Sequence, residues 1–208
     1  MAAKGTSTPG MFLDVDNMSF DDFFSEHKKP IEGRTQKEEK IYQKYKKIIT
    51  QKRENLNIDM QKIDDGQQLR IITSNAINAI VAIDLIMSHS TINEVFICIY
   101  RMNLKAVEFI RSNIYNTGIK CTILLSSFFR ENKRYERWFE QLAALDSEQF
   151  RVKTGCLHAK IFACRTHDNK HYVFEGSGNL SDNARIEQYI FEKNEAVYNF
   201  HKKWMSEY

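Results

Sequence analysis

A histidine and a lysine stand two residues apart, His158 and Lys160, in the apolar run LHAKIF (157–162). In an extended chain residues i and i+2 point the same way, so the imidazole and the ammonium project side by side while Leu157, Ala159 and Ile161 face a core. One polar hairpin later comes GSGN (176–179), a turn without bulky side chains, where a charged group can approach the backbone closely. Ser177 and Asn179 place a hydroxyl and a carboxamide at alternate positions there, and Glu187 precedes the next apolar run, QYIFE. A reactive imidazole, a fixed cation and two neutral donors are the parts needed to work on an anionic group. Either half alone is common, because a strand facing water on one side carries polar residues at alternate positions.

Together, His158-x-Lys160, the turn Gly176–Ser177–Gly178–Asn179 and the trailing Glu187 resemble the signature of the phospholipase D superfamily: His-x-Lys, then Gly-Ser-x-Asn, then an acidic residue. The resemblance covers residues 69–208. It implies an α/β fold with a mixed, mostly parallel β-sheet flanked by helices on both faces, and cleavage of phosphodiesters with neither metal nor other cofactor. On this resemblance His158 is the nucleophile. Its covalent phosphohistidine would split one hard displacement into two easier ones. Lys160 would hold the phosphate and the charge that builds on its oxygens. Ser177 and Asn179 would donate to those oxygens, Gly176 and Gly178 would admit the phosphate, and Glu187 would hold a histidine ring N–H. The sequence departs from the family at one place: five residues after the Lys, where an Asp is usual, stands Arg165. Asp168, in the following hairpin, does not take over its role.

In-line displacement also needs an acid opposite the nucleophile. The chain has one His-x-Lys and no internal repeat, so the resemblance points to its single-copy members, mostly endonucleases acting as dimers. A two-fold interface brings two copies of His158 to one phosphorus atom. Nucleic acid, with DNA placed first, is the implied substrate. A phospholipid or other phosphodiester, or nucleic-acid binding without catalysis on the same fold, are the alternatives.

These residues need a scaffold, and the patterning from residue 69 onward supplies one. Strands are expected at 69–73, 94–100, 119–127, near 149–153, and at 157–164, 171–176 and 187–193. Between them lie helices with apolar residues at helical spacing, such as Leu104, Val107, Ile110 and Ile114, a run that Gly118 ends. Ser74 or Asn75 can cap the helix that carries Ile77, Ile80, Val81 and Leu85. A last helix starts near Glu195. Residues 1–66 read as an extension, polar and disordered at its start, with a basic helix over 36–55 whose stripe is Ile41, Tyr45, Ile48 and Ile49. DDGQQ (64–68) reads as a linker, and 67–208 as the catalytic domain.

Charge is uneven along the 208 residues. Residues 1–26 hold one lysine against five acids, and residues 27–53 hold ten Lys and Arg against three Glu. The basic block suits a polyanionic partner and equally a solvated helix. Arg130 and Lys133, expected on a loop at the carboxyl end of the third strand, are candidate substrate ligands. Trp138 and Phe139 read as core. Four cysteines without a C-x-x-C pair, Cys98, Cys121, Cys156 and Cys164, suit buried thiols in a reducing compartment. The set Cys156, Cys164, His167 and His171 is too widely spaced for a usual zinc knuckle. His27, His89 and His201 read as surface residues. The apolar stretch near 76–87 is interrupted by Asn78 and Asp84, and no basic-then-apolar leader is seen, so the expectation is a cytoplasmic protein with no membrane partner.

Overall fold

Runs rich in Ile, Val, Leu and Phe form the strands, and amphipathic stretches between them form the helices. The computed structural model describes residues 36–73, 77–181 and 186–208. The sheet and the helices packed on it belong to one compact unit, Lys37–Tyr208. The elements in order are α1 Gln36–Leu56, β1 Gln68–Thr73, α2 Ala79–Met87, β2 Ile92–Ile99, α3 Leu104–Ile110, β3 Lys120–Ser126, α4 Ser127–Glu131, α5 Glu136–Ala143, β4 Phe150–Gly155, β5 Ile161–Thr166, β6 His171–Gly176, β7 Glu187–Lys193 and α6 Glu195–Glu207. Asn78, Asn103 and Asn194 cap α2, α3 and α6, each with a side-chain oxygen that accepts an amide proton of the first turn. For α2 that place was expected of Ser74 or Asn75, which lie outside the described residues. After α3 the chain runs on through a wider turn, Arg111–Tyr115, and Gly118 stops it with a φ of +73° that a Cβ would disfavour.

One sheet holds the seven strands of the described residues in the order β1-β7-β6-β5-β2-β3-β4. Only β2–β3 and β3–β4 pair in parallel; the other pairings are antiparallel. The sheet is mixed, as expected, but mostly antiparallel rather than mostly parallel. The connections explain this. Helices join β2, β3 and β4, and a helical crossover returns the chain to the start of a parallel neighbour. From β4 to β5 there are only residues 156–160, and β5 reaches β6 through a tight turn, so the chain reverses at each end instead.

Phe96 and Cys98 of β2, Leu124 of β3, Ala163 of β5 and Val173 of β6 pack against Tyr198 and Met205 of α6. Val95, Ile97 and Ile99 alternate with the β2 pair and are equally buried, so both faces of the sheet are covered. Tyr45 and Ile49 of α1 are buried, Arg53 pairs with Asp84 of α2 at 2.8 Å, and Lys105 lies over the Tyr45 ring. Lys44, Lys46 and Lys47 on the other side of α1 face solvent. The segment read as a linker is pinned to β7: the Gly66 N–H donates to the Lys193 carbonyl, and Asp65 pairs with the Lys193 ammonium.

Cys98, Cys121 and Cys164 are buried thiols and Cys156 is exposed; burial pushes Cys98 up to about 12. His89 is exposed as expected and His27 lies outside the described residues. His201 is a correction. It is buried, with Nε2 on a Glu175 carboxylate oxygen and Nδ1 accepting the Trp204 indole N–H. Two lysines follow it in sequence, but the helical period turns it inward toward β6. Trp138 is buried as expected and Phe139 half-buried. No helix among the described residues is long and apolar enough to cross a membrane.

Candidate active site

β2, β3 and β4 end, and β5 and β7 begin, at one end of the sheet, and the candidate residues gather there. Leu157 and Ala159 pack into the core beneath α6, which turns His158 and Lys160 the other way, as the alternation predicts. The two are not inside a strand, however. The strand expected at 157–164 begins at Ile161, and residues 157–160 form an extended lead-in whose Lys160 carbonyl accepts the Gly176 N–H at 3.1 Å. Beyond Gly155 the lead-in has left β4, and only this bond ties it to β6.

Lys160 Nζ lies 2.7 Å from His158 Nδ1 and donates to the His158 carbonyl at 2.7 Å. An ammonium has no lone pair, so it is the donor to Nδ1, and the proton of the neutral ring then sits on Nε2. The same ammonium is 5.8 Å from the centroid of the Tyr100 ring, against which the His158 ring leans at 4.6 Å. Burial holds Lys160 below the usual lysine range; the Glu187 charge pulls it back up, and the Arg101 charge adds to the lowering.

The turn is built differently from the sequence reading. The Ser177 hydroxyl donates to Glu187 Oε2 and accepts the Gln188 N–H at 3.0 Å, so it anchors the acid at the start of β7 and its proton is engaged there. Asn179 Oδ1 accepts the Arg101 N–H at 3.2 Å, which orients the carboxamide and leaves the Nδ2 protons as the donors it can offer. At Gly176 and Gly178 a Cβ would overlap Tyr189, whose hydroxyl donates to the Ile77 carbonyl at 2.5 Å. These glycines make room for a tyrosine packed against the turn. Beside Lys160 and Ser177 opens a groove of about 470 Å³, walled further on by Glu175, Gln188 and Ile190.

No protein-family model matches the chain, and no curated protein does either. Among solved structures it is similar to Nuc from Salmonella typhimurium, a phospholipase D family member, with a TM-score of 0.52 at 11% identity over 68% of this chain and 92% of that one. The chain has the phospholipase D fold. NucT from Helicobacter pylori overlaps 68% of this chain and 95% of its own at 17% identity, with a TM-score of 0.46.

On this phospholipase D fold, His158, Lys160, Ser177, Asn179 and Glu187 come together, while Arg130 and Lys133 sit at the rim. Arg130 belongs to α4, where its guanidinium meets Thr154 Oγ1 at 3.1 Å and Glu131 at 3.0 Å; Lys133 is exposed in the next turn. Arg165 stands at the far end of β5, 3.9 Å from Glu94, and Asp168 is held by Thr166 and Lys170. Cys164 is in the core, and among the described residues no three His, Cys, Asp or Glu side chains gather as a ligand set.

Three site residues were not singled out from sequence: Tyr100, Arg101 and Phe128. The Arg101 charge acts on Lys160, the Arg101 Nη1 is 3.4 Å from the Tyr135 hydroxyl, and its buried Nε has no hydrogen-bond partner among the described residues. Phe128 stacks on Tyr100. A signal was present. Tyr100 and Arg101 directly follow the buried run of β2, at the carboxyl end of a parallel strand, where sites collect in α/β sheets.

Proposed function

We propose that this protein is a metal-independent phosphodiesterase, an endonuclease on nucleic acid, that acts through a covalent phosphohistidine in a site shared by two copies of the chain. The observation that carries the proposal is the exposed His158 ring bonded to Lys160, at one sheet end with Asn179, Glu187 and a second cation, Arg101. The fold shared with Nuc supports it.

In the free protein the Lys160 ammonium engages the His158 lone pair. A diester phosphate is a better acceptor for an ammonium than a neutral ring nitrogen. Drawing Lys160 onto the phosphate oxygens frees the imidazole. A ring nitrogen then attacks phosphorus; the P–N bond forms as the bond to the leaving oxygen breaks, and that oxygen takes a proton from the partner's His158. A water molecule, deprotonated by the same second imidazole, next attacks phosphorus, and the P–N bond breaks to restore His158. Lys160, Arg101 and the Asn179 Nδ2 protons face the oxygens on which charge builds.

His158 is exposed, so a second ring can reach the same phosphorus. Ile186 is 76% exposed, one residue before Glu187, and Ile72 is 67% exposed across from Gln188; together they give the two-fold contact an apolar rim. The cations of α1, with Arg130 and Lys133, suit a polyanion.

The test is cleavage of plasmid, single-stranded DNA and RNA in excess chelator by wild type and His158→Asn. Cleavage by wild type alone, with acid-labile, base-stable phosphate trapped on the protein, supports the proposal. A folded wild type that cleaves none of the three overturns the nuclease reading. Mixing inactive His158→Asn copies into wild type lowers activity more than dilution does if the site is shared, and in simple proportion if it is not.

A further inference from the structure

We infer that Phe128 and Tyr100 form a stacking subsite for one unpaired nucleobase beside the scissile phosphate, which makes single-stranded or locally opened nucleic acid the preferred substrate. The inference rests on the nucleic-acid reading above and goes beyond it by naming the state of the strand.

Three rings stand in a row at the end of the sheet. The His158 centroid is 4.6 Å from that of Tyr100, tilted by 52°, and the Phe128 centroid is 5.2 Å from Tyr100, inclined by only 7°. Phe128 is out of place by the standard of its own neighbours. Phe129, next in the chain, is fully buried, as are Phe109, Phe150 and Phe162 in the core, yet Phe128 keeps 39% of its surface exposed. Its place is fixed. The Ser126 hydroxyl accepts the Phe128 N–H at 3.2 Å and turns the chain out of β3 into α4, and Tyr135 backs the ring at 6.2 Å. An aromatic ring backed by rings, partly open to solvent and one ring away from the reactive histidine is a preorganised platform for another flat π-system.

The surrounding charge narrows the choice of occupant. Lys160 lies over the Tyr100 ring, and Arg130, two residues beyond Phe128, is steadied by Thr154. A ligand here has a flat apolar part and an anion attached to it, which is the description of a nucleotide. In a duplex both faces of each base are already stacked, and only an unpaired or extruded base has a face to give. A lipid acyl chain offers neither a flat face nor a reason for two parallel rings.

The experiment walks a single abasic residue through a single-stranded oligonucleotide across the cleavage site, with wild type, Phe128→Ala and Phe128→Trp, whose folding is checked by thermal melting. At one position next to the cut the abasic residue is expected to raise the wild-type KM about tenfold, the size of one base–aromatic stack, with a smaller change in kcat. Phe128→Ala should show the raised KM on the intact oligonucleotide and no further rise on the abasic one, and Phe128→Trp should restore the difference. Binding to the inactive His158→Asn protein, read by fluorescence anisotropy, should show the same pattern, and a duplex of the same sequence should be cut more slowly. If wild type cuts oligonucleotides but no abasic position matters, or duplex is cut as fast as single strand, the platform is wrong while the nuclease reading stands. If no nucleic acid is cut but phospholipid vesicles or an aryl diester are hydrolysed, the nuclease reading fails and this inference with it.

Discussion

Two buried carboxylates mark opposite ends of the sheet, and their surroundings differ. At the start of β2, Glu94 accepts from Lys202 at 2.6 Å and from the Tyr198 hydroxyl at 2.7 Å, with Lys120 at 3.6 Å and Arg165 at 3.9 Å. Burial pushes Glu94 up, but the Lys202 and Tyr198 bonds outweigh it and hold the carboxyl below its usual range. At the other end the Glu187 carboxylate receives the Ser177 hydroxyl, while Lys160 donates to a histidine and the Arg101 Nε lacks a partner among the described residues. Where the cations aim at an acid, the cluster is closed and serves folding. Where they gather beside an exposed imidazole, the proposed function has an anion complete the cluster.

The contrast breaks most sharply at the open end. His158→Asn should lower phosphodiester hydrolysis by about a thousandfold or more and Lys160→Met by about a hundredfold or more, with thermal stability nearly unchanged; steady-state kinetics and melting curves separate the two effects. The closed end should behave in reverse. Glu94→Gln should cost about 2 kcal/mol of stability, since its partners remain partly hydrated, and leave activity per folded molecule unaltered. A depressed carboxyl stabilises the fold above its unfolded pKa and loses that contribution as pH falls through the folded value, so denaturant titrations should show the wild-type advantage over Glu94→Gln at pH 7 fading in acid.

A smaller effect sharpens the comparison. Arg101→Gln should reduce kcat/KM about tenfold. It should also move the alkaline limb of the rate profile upward, because removing a neighbouring positive charge raises the Lys160 pKa; Glu187→Gln should move that limb downward. Shifts in the opposite directions would mean that the two side chains do not act on Lys160. Smallest of all, Tyr189→Phe should cost about 1 kcal/mol by leaving the Ile77 carbonyl without its donor, measured by chemical denaturation.

Legibility in the sequence followed the connections. His158, Lys160, Ser177, Asn179 and Glu187 lie between residues 158 and 187 because β5, β6 and β7 are consecutive both in sequence and in the sheet, so their spacing could be read directly. Tyr100, Arg101 and Phe128 reach the same place only because β5 inserts beside β2, a pairing no local pattern reports. Alternation correctly sent Leu157 and Ala159 to the core, but apolar runs carry no direction, and the sheet was expected to be more parallel than it is. The reason for the glycines was hidden for a similar cause: Tyr189, which occupies their space, arrives from the following strand.

That tyrosine joins the approach to α2 to the turn that carries Asn179. Its hydroxyl grips the approach to α2 at Ile77, and its ring props up the loop from which Asn179 extends. If Asn179 holds phosphate as proposed, a substitution at the approach to α2 is expected to change that hold through Tyr189 while the reacting groups stay as they are.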